Sequence, residues 1–195
     1  LEFRRVLFRS TKSYTAMALG RAIQLGHMSM NDLKKPVLNF LTEIDKSNLS
    51  LGAQQITLHD AMHMKSGIRV DKKKAAALLR QNPEKLKGQG QIQTYMELTA
   101  PIDHNKKEFK YQGSDPSITI QVVEAKVPGT SKDFIKNELL APMGINNYGW
   151  QEDTSGLPKS AAGSSWRSRD MLKMGILILD KGKWQGKQQI GRAHV

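Results

Sequence analysis

Helical spacing of apolar residues that stops at a glycine or a proline is the pattern that most constrains this chain. Residues 11–25 show it clearly, because apolar side chains recur at helical spacing and Gly26 is suited to end a helix. The same reasoning predicts further helices over 33–41, 57–67, 71–80, 131–140 and 169–179. We therefore expect a chain rich in helices, with short strands between them.

Capping residues indicate where several of these helices begin. Thr57 is a good N-cap, and Asp60 follows it at the spacing of a capping box. Ser168 is predicted to cap the last helix. Pro36 is compatible with the helix over 33–41 only because it falls near the first turn.

Other segments give weaker signals. Residues 118–127 are apolar and β-branched, which favours a strand, but their spacing also fits a buried helix, and both assignments stay open here. Residues 81–91 are predicted as loop, 148–166 as loops with short strands, and 182–186 as a turn. No internal repeat or low-complexity linker divides the chain, so we expect one domain.

The 195 residues include no cysteine; 38% of them are hydrophobic and 25% charged. This composition is typical of a globular domain, and it excludes disulfide frameworks, thiolate metal sites and a cysteine nucleophile. No apolar run approaches the roughly 20 residues that a membrane-spanning helix needs. We therefore expect no transmembrane segment.

The formal net charge of +12 suggests a nucleic-acid partner, but the distribution of charge argues against one. Basic residues are scattered, and the densest run, Lys72-Lys73-Lys74, has no aromatic residue interleaved. Aromatic residues form only 6% of the chain, which is few for stacking on bases. We predict no nucleic-acid partner; the opposite hypothesis predicts binding to polyanions that weakens steeply with salt.

Both ends of the chain resemble translations of one sequencing adapter. Residues 1–10 match one reading frame of that oligonucleotide, and residues 190–195 match its complementary strand. We therefore predict that residues 11–189 are the natural part, cut at both ends from a longer protein, and that the two tails are non-native.

The run His59-Asp60-Ala61-Met62-His63 imitates a zinc-protease helix with aspartate in place of glutamate. Two histidines at this spacing share one helix face, which is the geometry of a metal-binding pair. Aspartate is one methylene shorter than the glutamate that acts as base, however, and no third ligand is obvious. We therefore predict a capping residue and two surface histidines, with no metal and no cofactor.

Lys12 and Tyr111 occupy positions that invite a chemical role. Lys12 lies in the first turn of a predicted helix, where its charge opposes the helix dipole. Tyr111 stands between a charged run and a turn, where ordinary packing is an equal alternative. Neither residue alone identifies a reaction.

Six segments together resemble the β-lactamase and penicillin-binding-protein superfamily of serine hydrolases, in the branch related to class C β-lactamases. Thr11-Lys12-Ser13-Tyr14-Thr15 is similar to the end of the motif Ser-x-Thr-Lys-Ser, and the run from Phe109 to Asp115 is similar to the second motif, Tyr-x-Asn or Tyr-x-Ser. The other four resemble further segments of the family and lie at 55–68, 139–145, 162–171 and 182–190. All six follow the family's order and spacing and together span nearly all of the predicted natural part.

The resemblance implies an α/β fold of the α+β kind, in which helices cover an antiparallel sheet built from strands at both ends of the chain. It also assigns a helix to residues 118–127. With both ends cut, it implies a largely complete helical part from residue 11 to about 179 beside a sheet that is mostly missing.

The resemblance also implies roles for individual residues. The family's nucleophile is a serine three residues before the lysine, so that hydroxyl and amine share a helix face. That position is Arg9 here, and Ser10 is out of register. Lys12 then matches the lysine that helps to remove the serine proton, and Tyr111 matches the tyrosine that shuttles protons to and from the leaving group.

The resemblance also places Gly113 at a position that contacts substrate in the family. Many relatives have asparagine or serine where Gly113 stands, so we expect Ser114 to supply the missing side-chain contact. The third motif, Lys-Thr-Gly or His-x-Gly, would follow residue 189 and is absent, and with it half of the oxyanion hole.

We therefore expect the parent protein to be a serine hydrolase that forms an acyl-enzyme with an ester, amide or β-lactam, whether small molecule or peptide. The chain as given is expected to be inactive. A non-catalytic relative that binds a ligand or peptide in the same cleft is the alternative, and serine at position 9 of the parent would favour the enzyme. Family analogy predicts a periplasmic or secreted parent, while the sequence does not indicate an oligomeric state.

Overall fold

The computed structural model of the chain describes residues 4–6 and 10–191. Within them the main elements are the helices α1 (Thr11–Gln24), α2 (Leu58–Met62), α3 (Lys72–Gln81), α4 (Gly90–Leu98), α5 (Ser114–Lys126), α6 (Ser131–Phe134) and α7 (Ser168–Leu179). Short 3₁₀ helices lie at Met30–Lys34, Val37–Asn39, Ala53–Gln55, Pro83–Leu86, His104–Lys106 and Ala141–Met143.

The predicted C-terminal signal of α1 is confirmed in detail. Gly26 adopts a φ of 81°, a left-handed conformation that glycine adopts without steric cost. The amide of His27 then donates to the carbonyl of Ala22 at 3.0 Å. This is a Schellman motif, and it turns the chain away at the end of the helix.

The predicted capping box of α2 is also confirmed. The amide of Asp60 donates to Thr57 Oγ1 at 3.1 Å, and the amide of Thr57 donates to Asp60 Oδ2 at 2.9 Å. The helix ends at Met62, earlier than predicted, because Met64 turns into the left-handed region with φ 54°.

Residues 33–41 do not form the predicted helix. Two separate 3₁₀ turns, Met30–Lys34 and Val37–Asn39, stand there, with Lys35 and Pro36 extended between them. Proline disfavours helical backbone in the residue before it, and this holds Lys35 at ψ 148°. Pro36 therefore divides the segment instead of sitting in a first turn.

The predicted loop over 81–91 is wrong at both ends. Pro83–Leu86 forms a 3₁₀ turn, and α4 begins at Gly90, a helix that the sequence analysis missed. A Cβ atom at Gly90 would collide with the carbonyl oxygen of Lys85, so a glycine permits this close approach. Glycine in the first turn weakened the helical signal there.

Two further helices differ from their predictions in detail. The segment over 131–140 is α-helical only over Ser131–Phe134 and continues as a π-helix over Ile135–Leu140. Ser168 does not cap α7 but is its first residue, and Arg167 is the N-cap.

Helix α5 is the centre of the fold and decides the open assignment over 118–127 in favour of helix. Its residues from Asp115 to Val123 are all buried, and it packs against α1, α2, α4 and α6. A helix that is buried on every side shows no polar face, so its sequence reads like that of a buried strand.

The strands are short and form two small antiparallel sheets. One contains β1 (Arg4–Val6), β2 (Tyr148–Trp150) and β3 (Ser164–Arg167) in the order β1-β3-β2. The other is the hairpin of β4 (Lys183–Trp184) and β5 (Lys187–Gln188). Strand β1 lies within the tail predicted to be adapter-derived; a backbone ladder does not depend on side-chain identity, so the origin of that tail stays a prediction.

The predicted turn over 182–186 is confirmed at Gln185 and Gly186, which connect the β4–β5 hairpin, whereas Lys183 and Trp184 form strand β4. Gln185 and Gly186 have φ values of 49° and 79°. Positive φ at both central residues is the signature of a type I′ turn, which matches the twist of the strands it joins.

Aromatic packing joins the three-stranded sheet to α1. Trp166 on β3 is fully buried and stacks on Tyr14, with ring centroids 4.0 Å apart and planes 7° apart. Tyr148 stacks on Trp166 as well, at 5.3 Å. This contact holds the start of α1 against β3.

In the described part of the chain, no helix is both long and apolar enough to cross a membrane.

Helix α7 presents an apolar face that lacks cover within the described residues. Leu172, Ile176 and Leu179 fall on one side of the helix and are 67%, 52% and 85% exposed, whereas Met174 and Leu177 are buried on the other side. Exposed apolar patches of this kind promote association. The face is consistent with the predicted helical part beside a largely missing sheet.

We predict that replacing Leu172, Ile176 and Leu179 together by glutamine reduces aggregation of this chain, because the patch is removed without changing the core. Static light scattering against protein concentration measures the effect. The matched control is Leu51→Gln, since Leu51 is 78% exposed but stands apart from the patch. Equal aggregation of the triple variant and the unaltered chain would contradict the prediction.

Candidate active site

Lys12 and Tyr111 meet at one place, as predicted, although 99 residues separate them. Lys12 Nζ donates a hydrogen bond to Tyr111 Oη at 3.0 Å and lies 4.4 Å from the centroid of the tyrosine ring. The same Nζ donates to the carbonyl oxygen of Ala161 at 2.7 Å. The amine and the phenol are therefore within direct proton-transfer distance of each other.

Hydroxyl groups on α1 hold Lys12 in this position. Thr11 Oγ1 lies 2.7 Å from Ser164 Oγ, and Thr15 Oγ1 donates to the carbonyl of Ser160 at 3.0 Å. Both threonines and both serines are buried. The first turn of α1 is thus fastened to residues 160–164, which also supply the carbonyl that holds the lysine.

Asp115 anchors the residues that follow Tyr111, and it was not predicted from the sequence. It is fully buried in the first turn of α5, four residues after Tyr111. Ser66 donates to it twice, from Oγ at 2.6 Å and from its amide at 3.3 Å, and Gln112 Nε2 and Ser114 Oγ donate at 2.8 and 3.1 Å. Burial raises the pKa of Asp115, although these donors favour the carboxylate.

Asp115 therefore acts as a positioning residue for the segment that carries Tyr111. It ties the start of α5 to Ser66, which lies beyond α2 in a different part of the sequence. The signal that points to it is an aspartate in the first turn of a helix without a polar face, since such a carboxylate has to find its donors inside the protein.

Gly113 and Ser114, which are predicted to contact substrate, follow Tyr111 by two and three residues. Both line a cavity of about 830 Å³, together with Ala161. Gly113 has φ −90°, and a Cβ there would meet the Ala161 side chain at an ordinary 3.6 Å, so the backbone does not require glycine at this position. Ser114 Oγ donates to Asp115, which leaves its oxygen able to accept a hydrogen bond from the cavity.

The position predicted for the nucleophile cannot be placed relative to this pair. Arg9 lies outside the described residues. Ser10 is the N-cap of α1 and makes no side-chain capping bond.

The two histidines do not join the cleft. His59 and His63 stack on each other, with ring centroids 4.1 Å apart, and both are exposed. Asp60 between them completes the capping box and pairs with Lys107 Nζ at 2.6 Å. Across residues 4–6 and 10–191, no group of three histidine, aspartate or glutamate side chains could hold a metal ion.

A family model described as Beta-lactamase matches residues 7–183. No curated protein matches the chain. Several solved structures do match it, and three of them show the range of functions.

The first is the octameric penicillin-binding protein homologue from Pyrococcus abyssi, with 18% identity and a TM-score of 0.69. The second is a D-stereospecific amidohydrolase from Streptomyces sp., with 16% identity and a TM-score of 0.66. The third is EstCE1, a hydrolase with promiscuous acyltransferase activity, with 14% identity and a TM-score of 0.69.

These structures cover 99%, 92% and 99% of the chain, whereas the chain spans only 48%, 62% and 62% of theirs. At such identities the likeness shows the fold. It confirms the predicted combination of helices with small antiparallel sheets.

Proposed function

Because this chain belongs to the β-lactamase family, we propose that it is part of a serine hydrolase that cleaves an ester, an amide or a β-lactam through an acyl-enzyme. The observation that carries the proposal is the hydrogen bond of 3.0 Å between Lys12 Nζ and Tyr111 Oη. It joins the two residues that the family resemblance assigns to one proton relay. The cavity of about 830 Å³ beside them is large enough for a small-molecule or peptide substrate.

In the proposed reaction, a serine hydroxyl at position 9 attacks the carbonyl carbon of the substrate. Lys12 or Tyr111 accepts the hydroxyl proton, and the same relay then delivers a proton to the leaving alcohol or amine. The serine is left acylated, and water hydrolyses the ester. The carbonyl of Ala161 holds the Lys12 amine in place by accepting a hydrogen bond from it.

We also propose that the chain as given does not form an acyl-enzyme. Arg9 offers no nucleophile at the position that the family uses. No Lys-Thr-Gly or His-x-Gly segment follows Tyr111 in the sequence, so the donors that this motif supplies are missing. One oxyanion-hole donor is worth roughly 10²–10³ in rate, and Arg9→Ser alone should therefore restore little.

Mass spectrometry after incubation with a fluorescent penicillin and with an activated ester tests the proposal. The full-length protein, read from the uninterrupted gene, should carry serine at position 9 and gain the mass of the acyl group. The chain as given should gain none. An adduct on Ser10 or Ser13 of the chain as given would show that the nucleophile is one of these serines and not the residue at position 9.

The same measurement tests the alternative of a non-catalytic ligand-binding relative. A full-length protein with another residue at position 9 and no adduct with either probe would overturn the proposed hydrolase in favour of that relative.

A further inference from the structure

The large cavity has a second polar wall, formed by Gln91, Asp153 and Thr154. Gln91 is buried, with 3% of its surface exposed, and its Nε2 donates to Asp153 Oδ2 at 3.3 Å and to Thr154 Oγ1 at 3.1 Å. A carboxylate can only accept hydrogen bonds, so the amide nitrogen of Gln91 has to face Asp153. The orientation of the amide is thereby fixed.

This orientation leaves the other end of the amide unsatisfied. Gln91 Oε1 is buried and has no hydrogen-bond partner among residues 4–6 and 10–191. A buried acceptor without a donor carries a cost in stability. A ligand that brings an N–H group to this wall would relieve that cost.

The charges on the wall also favour a donor, and specifically a cation. Asp153 forms no ion pair with any described residue, and its Oδ1 accepts from the amide and hydroxyl of Ser155 at 2.8 and 2.6 Å. Burial raises the pKa of Tyr95, which lines the same cavity, and the charge of Asp153 raises it further.

The neighbouring charged groups have hydrogen-bond partners other than Asp153. Glu152 pairs with Lys132 at 2.8 Å, and Lys159 Nζ donates to Gln151 Oε1 at 2.8 Å. In a chain of net charge +12, this wall thus holds a carboxylate without an ion-pair partner, next to an amide oxygen to which no described residue donates.

We propose that the wall of Gln91 and Asp153 is a subsite for a primary ammonium group, so that the substrate is an ester or amide that carries such a group. The ammonium donates to Gln91 Oε1 and lies against the Asp153 carboxylate. Ala161 lines the same cavity and accepts from Lys12, so a substrate held at this wall reaches toward the reacting pair. Naming the substrate class rests on the proposed hydrolase, whereas binding of the amine does not.

Binding of three small unreactive amides to the chain as given tests the subsite, with dissociation constants measured by NMR titration. The probes are 3-aminopropanamide, which is a cation, butanamide, which has a methyl group in place of the ammonium, and succinamic acid, which is an anion. We expect the cation to bind roughly tenfold or more tightly than either of the others, as for a hydrogen bond to a charged group. Equal affinities for the cation and butanamide would overturn the proposal.

Two variants locate the subsite. Asp153→Asn keeps the shape of the wall and an acceptor for Ser155, but it removes the charge and gives the Gln91 amide an internal donor for Oε1. Gln91→Met keeps the volume and removes the oxygen. Each should cancel the preference for 3-aminopropanamide, whereas the matched change Asp180→Asn, outside the cavity, should preserve it; a preference that survives both cavity variants overturns the assignment.

Failure of the subsite and failure of the hydrolase remain distinguishable. An acyl-enzyme in the full-length protein without any preference for the cation keeps the hydrolase and rejects the substrate class. A preference for the cation without an acyl-enzyme keeps the subsite and rejects the hydrolase.

Discussion

Lys12→Ala, made in the full-length protein with serine at position 9, should abolish formation of the acyl-enzyme on the time scale of labelling. The Lys12 amine contacts the Tyr111 hydroxyl at 3.0 Å, and its removal takes away the proposed acceptor of the serine proton. General-base catalysis contributes roughly 10²–10⁴ in rate, so we expect labelling to slow by at least two orders of magnitude. Mass spectrometry at timed intervals with an activated ester gives the rate.

Tyr111→Phe tests the second member of the relay without removing the ring. It should slow labelling as well, because the phenylalanine cannot carry a proton. The control is Lys35→Ala, an exposed lysine that pairs with Asp32 far from the cleft, and it should label at the unaltered rate. Full-rate labelling of the Lys12→Ala protein would remove Lys12 from the mechanism.

Asp115→Ala should lower the free energy of unfolding by about 3 kcal/mol, the largest effect on stability that we predict. The change removes a fully buried carboxylate and leaves the hydroxyl and amide protons of Ser66 without an acceptor, and each unsatisfied buried group costs roughly 1–3 kcal/mol. Urea unfolding followed by circular dichroism measures it. Asp45→Ala is the control, since Asp45 is exposed and accepts only from nearby Ser47, and it should leave the midpoint unchanged.

The pH dependence of Asp115→Asn tests the direction of the Asp115 pKa. Burial raises this pKa in the folded protein above the ordinary value of 3.8, so the folded state holds the proton more strongly than the unfolded state. The contribution of that proton to stability is complete below pH 3.8 and is lost as pH rises through the folded pKa. Relative to the asparagine variant, the unaltered chain should therefore lose stability as the pH rises through that window. If the unaltered chain instead gained stability over the asparagine variant as the pH rises, the pKa of Asp115 would be lowered in the folded protein.

The sequence was sufficient to predict helix ends that are fixed by hydrogen bonds between residues close together in the chain. Gly26 ends α1 and Thr57 begins α2 because the relevant hydrogen bonds lie within a few residues of chain. The helix predicted over 33–41 was wrong because Pro36 was treated as tolerable in a first turn. Its steric effect instead keeps Lys35 out of the helical conformation. Helix α5 could not be assigned from its own residues, because burial on every side erases the polar face that distinguishes a helix from a strand.

The candidate site was predictable only as far as the family resemblance reached. Lys12 and Tyr111 were identified through it, and the structure brings them together. Asp115 was missed because its main partner, Ser66, lies 49 residues away. Gln91 and Asp153 were missed for the same reason, since a buried amide reveals its unsatisfied oxygen only when its neighbours are known.

The uncovered face of α7 has a consequence for the chain in a living cell. Leu172, Ile176 and Leu179 present to solvent the kind of surface that chaperones and proteases recognise in unfolded proteins. We expect the amount of this chain to be set by that quality control even while its core is fully folded, so that its half-life would not follow its resistance to urea.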